Sequence, residues 1–125
     1  MSDKPYKYYR AYRGGCDGTS LRGYIGPNIN YMDLQKVFGP DHYGPSPDHK
    51  VDWEWEFRFY FEDDTYEGAT LYNWKDGPNH CCLDALDSGS KERKWNIGGK
   101  SYRVVECIRW AFENKDKPTE KKYEN

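Results

Sequence analysis

The sequence predicts an α+β domain: an antiparallel sheet of about four strands with two helices packed on one face. Three observations support this fold class. Apolar and polar residues alternate strictly from Val51 to Phe61, which is typical of a half-buried strand. The turn Glu62-Asp63-Asp64 follows, and Thr65 to Trp74 is predicted to return as the second strand of a hairpin. Residues 104–112 then carry apolar side chains at helical spacing.

The composition indicates a single domain with an unusual core. Hydrophobic residues make up 36% of the 125 residues, which is low, while aromatic residues reach 18%. The core is therefore expected to consist of few, bulky side chains. A surplus of tyrosine and tryptophan beyond core needs also predicts contact surfaces, for other subunits or for a flat ligand.

The chain is predicted to have three parts. Residues 1–15 form a tyrosine-rich basic arm, which is either an edge strand or a segment that packs on a neighbouring subunit. Residues 16–113 form the α+β domain. Residues 114–125 are a mixed-charge tail that is expected to be disordered.

The first helix has clear signals at both of its ends. A short strand over Thr19 to Ile25 precedes it. Asn30 stands at the N-cap position with Asp33 three residues later, which predicts a helix from Tyr31 to Phe38. The dipeptide Gly39-Pro40 ends this helix. The side chains expected to face the sheet are Met32, Leu34, Val37 and Phe38.

The last two elements lie near the C-terminus, after residues 76–94, which have no periodicity. Trp95 to Gly99 is predicted to be a short strand that closes in a tight turn. Ser101 then caps the last helix. The apolar stripe of that helix comprises Val104, Val105, Ile108, Ala111 and Phe112.

Charge and hydropathy restrict the possible partners and location. The net charge of −2 provides no basic field for binding a nucleic-acid polymer. No segment is apolar enough to cross a bilayer or to act as a signal peptide, so no membrane contact and a cytoplasmic location are expected.

Metal, cofactor and catalytic signals are weak. The cysteines, Cys16, Cys81, Cys82 and Cys107, lack the paired spacing of a zinc site. His80 adds a donor beside two of them, but sequence neighbours rarely converge on one ion. Acidic residues near His42 and His49 could form an acid–base pair, although solvated residues are ordinary in such a proline-rich loop. We therefore expect no metal, no cofactor and no catalytic residues.

The run Tyr72-Asn73-Trp74-Lys75 is the strongest candidate for a binding site. Aromatic rings can stack on a nucleobase, an amide can bind its edge, and a cation can hold phosphate. The alternative is that Trp74 packs in the core and Lys75 is solvated. Two weaker candidates are Trp95 to Gly99, which could approach a phosphate or simply turn, and the basic arm, whose rings and cations alternate as in single-strand binders.

Four segments occur in a fixed order: Gly23-Tyr24-Ile25, Lys50-Val51-Asp52-Trp53-Glu54-Trp55, Tyr72-Asn73-Trp74-Lys75 and Trp95-Asn96-Ile97-Gly98-Gly99. Together they resemble a widespread family of small phage and giant-virus proteins, over about residues 19–112. That family is similar to the anti-CBASS nucleotide sponges. In the relatives, the residue between Trp95 and Ile97 is often His, whereas here it is Asn96.

The resemblance implies a viral immune-evasion protein of the host-cell cytoplasm. Such a protein sequesters cyclic dinucleotide messengers, such as 3′3′-cyclic GMP–AMP, without cleaving them, and is a homodimer or homotetramer. The basic arm opposite an acidic sheet also favours self-association. Two alternatives are a viral inhibitor that contacts a host defence protein directly and a small nucleotide-degrading enzyme.

The predicted ligand-binding residues are Tyr72, Asn73, Trp74, Lys75, Tyr24, Arg22, Lys50 and Trp95. In this prediction Tyr72 and Trp74 stack on bases, Asn73 binds a base edge and Lys75 holds phosphate. Tyr24 is a second platform, and Arg22 or Lys50 a second cation. Strand alternation places Tyr72 and Trp74 on the face opposite to Asn73, so one cleft requires a bend near Gly77 or a second subunit.

Overall fold

The structure is a computed structural model that describes residues 3–14, 20–26, 28–42, 53–73 and 94–119. Within these residues the strands are β1 (Tyr8–Ala11), β2 (Ser20–Ile25), β3 (Glu54–Tyr60), β4 (Tyr66–Tyr72) and β5 (Trp95–Gly99). The helices are α1 (Tyr31–Phe38) and α2 (Arg103–Glu113).

The described strands form one antiparallel sheet in the order β1-β3-β4-β5-β2. Both helices contribute to the hydrophobic core on one side of this sheet, which confirms the predicted α+β class. The sheet has five strands rather than about four, because the tyrosine-rich arm supplies the edge strand β1. The arm was predicted to be either an edge strand or a segment that packs on a neighbouring subunit, and in the structure it forms an edge strand.

The hairpin of β3 and β4 forms as the alternation predicts. Trp55, Phe57 and Phe59 are fully buried on the inner face of the sheet. In the turn, the Asp63 carboxylate accepts hydrogen bonds from the Thr65 amide at 3.1 Å and the Thr65 hydroxyl at 2.6 Å. Asp64 adopts a left-handed conformation with φ of 70°, which a short acidic side chain tolerates. Residue alternation and turn chemistry thus fix this hairpin together.

The capping signals of α1 are confirmed. The Asn30 side chain accepts from the Asp33 amide at 2.9 Å, and the Asp33 carboxylate accepts from the Asn30 amide at 3.0 Å, forming a capping box. Gly39, with φ of 83°, ends the helix. Leu34, Val37 and Phe38 are buried, as expected. Met32 is 39% exposed, so its predicted packing on the sheet is wrong, because it lies on the helix flank that faces solvent.

Gly99 of β5 has a packing role that the sequence does not indicate. A Cβ atom at Gly99 would lie 2.3 Å from Cγ2 of Val104, so only glycine lets α2 approach this strand so closely. A Cβ atom at Gly23 of β2 would lie 3.0 Å from both methyl groups of Val105, which is a tight contact. Gly98 and Gly99 both belong to β5 rather than to a tight turn after it. Ser101 lies just before α2, and its hydroxyl accepts from the Arg103 amide at 3.2 Å.

The chain after α2 packs against β1. Asp116 accepts hydrogen bonds from the hydroxyls of Tyr6, through its carboxylate, and Tyr9, through its backbone oxygen, both at 2.5 Å. The Thr119 amide donates to the Tyr9 carbonyl at 2.8 Å. Residues 114–119, predicted to begin a disordered tail, are thus held by buried tyrosine hydroxyls, which need partners. Residues 120–125 of that tail lie outside the described part of the chain.

Candidate functional site

The face of the sheet opposite the helices carries the candidate site, and we call it the outer face. Strand alternation places on it every second residue of each strand. Four of these residues form one cross-strand row, which we call the recognition row: Glu54, Tyr72, Asn96 and Tyr24. In the strand register, Glu54 pairs with Tyr72, Tyr72 with Asn96, and Asn96 with Tyr24.

The recognition row spaces two phenol rings around an amide. Neighbouring strands lie about 4.8 Å apart, so Tyr72 and Tyr24 stand about 10 Å apart with Asn96 between them. Tyr24 is 40% exposed, while Tyr72 is half-buried. The Lys94 ammonium lies 5.4 Å from the centroid of the Tyr24 ring. The row thus presents two stacking surfaces, an amide and a cation on one open face.

The side chains of the row interact with one another. Burial raises the pKa of Tyr72, and the nearby Glu54 carboxylate and Tyr24 phenol raise it further. The strand register places Glu54 on one side of Tyr72, and Tyr24 beyond Asn96 on the other side. Both charged or ionisable neighbours of the row therefore disfavour ionisation of the Tyr72 phenol.

Glu54 is the acidic end of the row. Burial and the neighbouring Glu56 carboxylate raise its pKa to about 6. Glu56 is itself buried and accepts a hydrogen bond from the Gly14 amide at 2.7 Å. Within the described residues, the Glu54 carboxylate accepts no hydrogen bond from the protein. A partly desolvated carboxylate is thus presented beside an aromatic ring, ready to accept from a ligand.

His42 holds the start of β3 in place. Its amide donates to the Glu54 carbonyl at 2.8 Å, and its Nδ1 accepts from the Glu56 amide at 2.8 Å. Burial lowers the pKa of His42, which keeps the ring neutral and able to accept. His42 thus binds the backbone of β3, whereas His49, the other histidine considered for an acid–base pair, lies outside the described residues.

Three of the predicted ligand residues lie at the outer face or its edge. Tyr72 and Tyr24 belong to the recognition row. Arg22, on β2, is exposed, and its Nε donates to the Gly99 carbonyl at 3.0 Å. Trp74, Lys75 and Lys50, which were predicted to stack and to hold phosphate, lie outside the described residues.

Two predicted ligand residues are core residues instead. Asn73 is buried, and its Oδ1 accepts from the Trp53 amide at 2.8 Å. Trp95 is fully buried, and its Nε1 donates to the Ile29 carbonyl at 2.8 Å. Both point to the inner side because their neighbours Tyr72 and Asn96 occupy the outer positions. The predicted roles of Asn73 at a base edge and of Trp95 in binding therefore do not fit this fold.

The sequence prediction missed Glu54, Asn96 and Lys94 as site residues. A signal for two of them was present in the sequence, because Glu54 and Asn96 alternate with the large apolar residues Trp55, Trp95 and Ile97. Strand alternation then places Asn96 and Glu54 on the opposite face. The pairing of these strands side by side could not be deduced, because strand order depends on contacts distant in sequence.

The other end of the outer face holds an arginine–tyrosine cluster, comprising Tyr8, Arg10, Tyr12, Arg58, Tyr60 and Tyr66. Arg10 and Arg58 are register partners on β1 and β3. Arg10 donates to the Tyr60 hydroxyl at 2.6 Å, and the Arg58 guanidinium lies 4.4 Å from the Tyr66 ring centroid. These cations and rings stabilise one another.

A cleft of about 560 Å³ lies on the helical side, between α1 and the chain after α2. Its lining residues are Asp33, Lys36, Val37, Phe112, Lys115 and Lys117. The Lys117 ammonium donates to the Lys36 carbonyl in the last turn of α1. This contact satisfies a helix-end carbonyl, so at least one of the lysines of the cleft has a structural role.

Metal-binding clusters, membrane-spanning helices and similarity to known proteins are the remaining features of the chain. Within the described ranges, no cluster of three or more His, Cys, Asp or Glu side chains could hold a metal ion. No helix in the described part of the chain is long and apolar enough to cross a membrane. Comparison of the chain with protein families, with curated proteins and with solved structures finds no match.

Proposed function

We propose that this protein is a viral immune-evasion protein that binds a cyclic dinucleotide on the outer face of its sheet and sequesters it without cleavage. The recognition row is the observation that carries the proposal. It offers two tyrosine rings about 10 Å apart, one for each base of such a ligand, with an amide between them. The resemblance of the chain to the nucleotide sponges supplies the ligand class.

The energetics of the row are compatible with tight binding. Stacking of a base on an aromatic side chain contributes about 1–3 kcal/mol, so two platforms supply about 2–6 kcal/mol. Hydrogen bonds to a charged group such as Glu54 add about 1.5–3 kcal/mol each. A micromolar dissociation constant corresponds to about −8 kcal/mol. Two bases and one hydrogen bond to Glu54 therefore supply about 3.5–9 kcal/mol, a range that reaches this value at its upper end.

Phosphate binding in this proposal involves the cations at the β2 edge of the row. Lys94 lies against the Tyr24 ring at 5.4 Å, and Arg22 is on the same strand as Tyr24. A ligand that stacks on Tyr24 would place its phosphates near these groups. Lys75 and Lys50 remain predicted phosphate ligands.

The proposal includes a cytoplasmic location in the infected host cell and a homodimer or homotetramer. The described elements with which a second subunit could associate are the two edge strands, β1 and β2, since each pairs with a neighbouring strand on one side only. In such an assembly two copies of the outer face could enclose one ligand.

The test is isothermal titration with 3′3′-cyclic GMP–AMP and related cyclic dinucleotides, followed by chromatography of the ligand recovered after protease digestion. We expect binding at a fixed stoichiometry and recovery of intact ligand. Linear or mononucleotide products would instead identify a nucleotide-degrading enzyme. Absence of binding across the panel would favour the inhibitor of a host defence protein, which a pull-down from host lysate would detect.

A further inference from the structure

The acidic end of the recognition row faces the place where a base would stack. Glu54 is the register partner of Tyr72, so its side chain stands beside the Tyr72 ring at cross-strand distance, about 5 Å between Cβ atoms. The pKa of Tyr72 is raised by burial first and then by the nearby Glu54 carboxylate, in keeping with this register. A base that stacks on Tyr72 therefore has one edge within reach of Glu54.

A carboxylate beside the Tyr72 ring can distinguish guanine from adenine, because the two bases present different hydrogen-bonding groups. Ionised glutamate only accepts hydrogen bonds, through two oxygens. The Watson–Crick edge of guanine presents two adjacent N–H donors, at N1 and N2, which a carboxylate binds in a bidentate manner. The same edge of adenine presents one donor and one acceptor, and the acceptor at N1 would face a carboxylate oxygen repulsively.

We propose that Glu54 determines base specificity and selects guanine at the base position on Tyr72. This inference rests on the proposed function and names the base that the site prefers. Tyr72 supplies the stacking surface, and Glu54 accepts from the N1 and N2 donors of guanine. Asn96, on the other side of Tyr72, is available to bind the opposite edge of the base through its amide.

The surroundings of Glu54 suit this role. The groups that face it are Glu56 on its own strand, Tyr72 on β4 and the backbone of His42 in the segment after α1. None of these supplies a cation, so in the described residues the carboxylate has no ion pair that a base would have to displace. Its half-buried position limits competition from water, which strengthens a hydrogen bond to a ligand.

The experiment compares the affinities of two symmetric probes, 3′3′-cyclic di-GMP and 3′3′-cyclic di-AMP, by isothermal titration at pH 7.5. We expect the protein to bind the guanine probe more tightly by about 5- to 150-fold, the range for one bidentate contact. Glu54→Gln should abolish this preference, because a glutamine side chain presents one acceptor and one donor, a pattern that matches adenine. The adenine affinity of Glu54→Gln should be equal to or higher than that of the unmodified protein.

The matched control is Glu62→Gln, which makes the same chemical change in the exposed turn between β3 and β4. It should retain the guanine preference. A second readout is pH: protonation of Glu54, whose pKa is about 6, removes one acceptor, so the guanine preference should decline between pH 7 and pH 5. In Glu54→Gln the ratio of the two affinities should not change over this range.

The outcomes separate the two proposals. Failure of the protein to bind either probe, or any related cyclic dinucleotide, overturns the proposed function and this inference with it. Binding of both probes with equal affinity, or a guanine preference that survives in Glu54→Gln, overturns the role of Glu54 and leaves the proposed function standing.

Discussion

The two ends of the outer face both display tyrosines, but the rings have different partners. In the arginine–tyrosine cluster the rings interact with the protein itself. The Tyr60 hydroxyl accepts from Arg10 at 2.6 Å, and the Tyr60 ring stacks on Tyr8 with centroids 4.6 Å apart. In the recognition row, Tyr24 contacts only the Lys94 ammonium among the ring and cation contacts of the described residues.

Exposure alone therefore does not identify a binding residue. Tyr66, in the cluster, is 54% exposed, which is more than the 40% of Tyr24. However, the Tyr66 ring has two partners, the Arg58 guanidinium at 4.4 Å and the Tyr60 ring at 5.7 Å between centroids, whereas the Tyr24 ring has the Lys94 ammonium at 5.4 Å. A ligand that stacks on Tyr66 would therefore disturb more contacts than one that stacks on Tyr24. Free ring surface beside polar groups that can still accept hydrogen bonds is the better criterion.

The largest expected effect is on ligand affinity, and it distinguishes the two ends of the face. Tyr24→Ala and Tyr72→Ala should each weaken binding of 3′3′-cyclic GMP–AMP by about 1–3 kcal/mol, because each removes one stacking platform. Tyr66→Ala, which removes a more exposed ring from the same face, should leave the affinity unchanged. Isothermal titration gives the affinities, and circular dichroism verifies that each variant is folded. An equal loss in Tyr66→Ala would show that the cluster also binds the ligand.

The next largest effect is on the free energy of unfolding, and it is expected for a variant of the arginine–tyrosine cluster. Tyr60→Phe removes a hydroxyl that accepts from Arg10, so the free energy of unfolding should fall by about 1–2 kcal/mol without a change in affinity. The matched control is Tyr8→Phe, since the structure shows no hydrogen bond of the Tyr8 hydroxyl within the described residues. Urea denaturation measures both variants. Equal stability of Tyr60→Phe and the unmodified protein would mean that the ring contacts alone hold the cluster together.

The smallest expected effect is a pH dependence of the free energy of unfolding, which the raised pKa of Glu54 causes. Its pKa rises from 4.5 to about 6 on folding, because burial and Glu56 disfavour the ionised form. The folded state therefore binds a proton more tightly than the unfolded state, and the stability present below about pH 4.5 is lost as the pH rises through 6. Relative to Glu54→Gln, the unmodified protein should thus become less stable between pH 4.5 and pH 7.

Urea denaturation of both proteins at several pH values measures this difference. The difference reports on the recognition row, since burial and the like charge of Glu56 act together on Glu54. A constant difference in stability between the two proteins over this pH range would show that Glu54 is solvated and not poised for a ligand. That result would also weaken the case for its role in base specificity.

Local signals in the sequence were sufficient for several elements. The alternation in β3, the acidic turn and the apolar stripe of α2 each predict a structure that forms with its own neighbours in sequence. Asn30 and Asp33 predict α1 because a capping box involves residues only three positions apart. These predictions are confirmed since the interactions that determine them are short-range and do not depend on strand order.

The candidate site was predicted only in part. Tyr72 and Tyr24 were named, and the structure places them in one row of the outer face. Asn73 and Trp95 were named for their residue types, but each side chain points inward and is hydrogen-bonded to the backbone of another segment. The type of a residue indicated what its side chain could bind. Its position in the alternation of the strand decided whether the side chain lies on the outer face, where a ligand could reach it.

The sequence alone predicted the fold class, the hairpin, both helices and the inner-face residues of β3. It did so because hydrophobic periodicity and capping are properties of contiguous residues. Only the tertiary structure decided that β5 lies between β4 and β2, which brings Glu54, Tyr72, Asn96 and Tyr24 into one row. Their positions in the chain span more than 70 residues, and no local rule relates them. The close approach of α2 to Gly99 and Gly23, which only the packed structure reveals, holds β5 and β2 against the core behind that row.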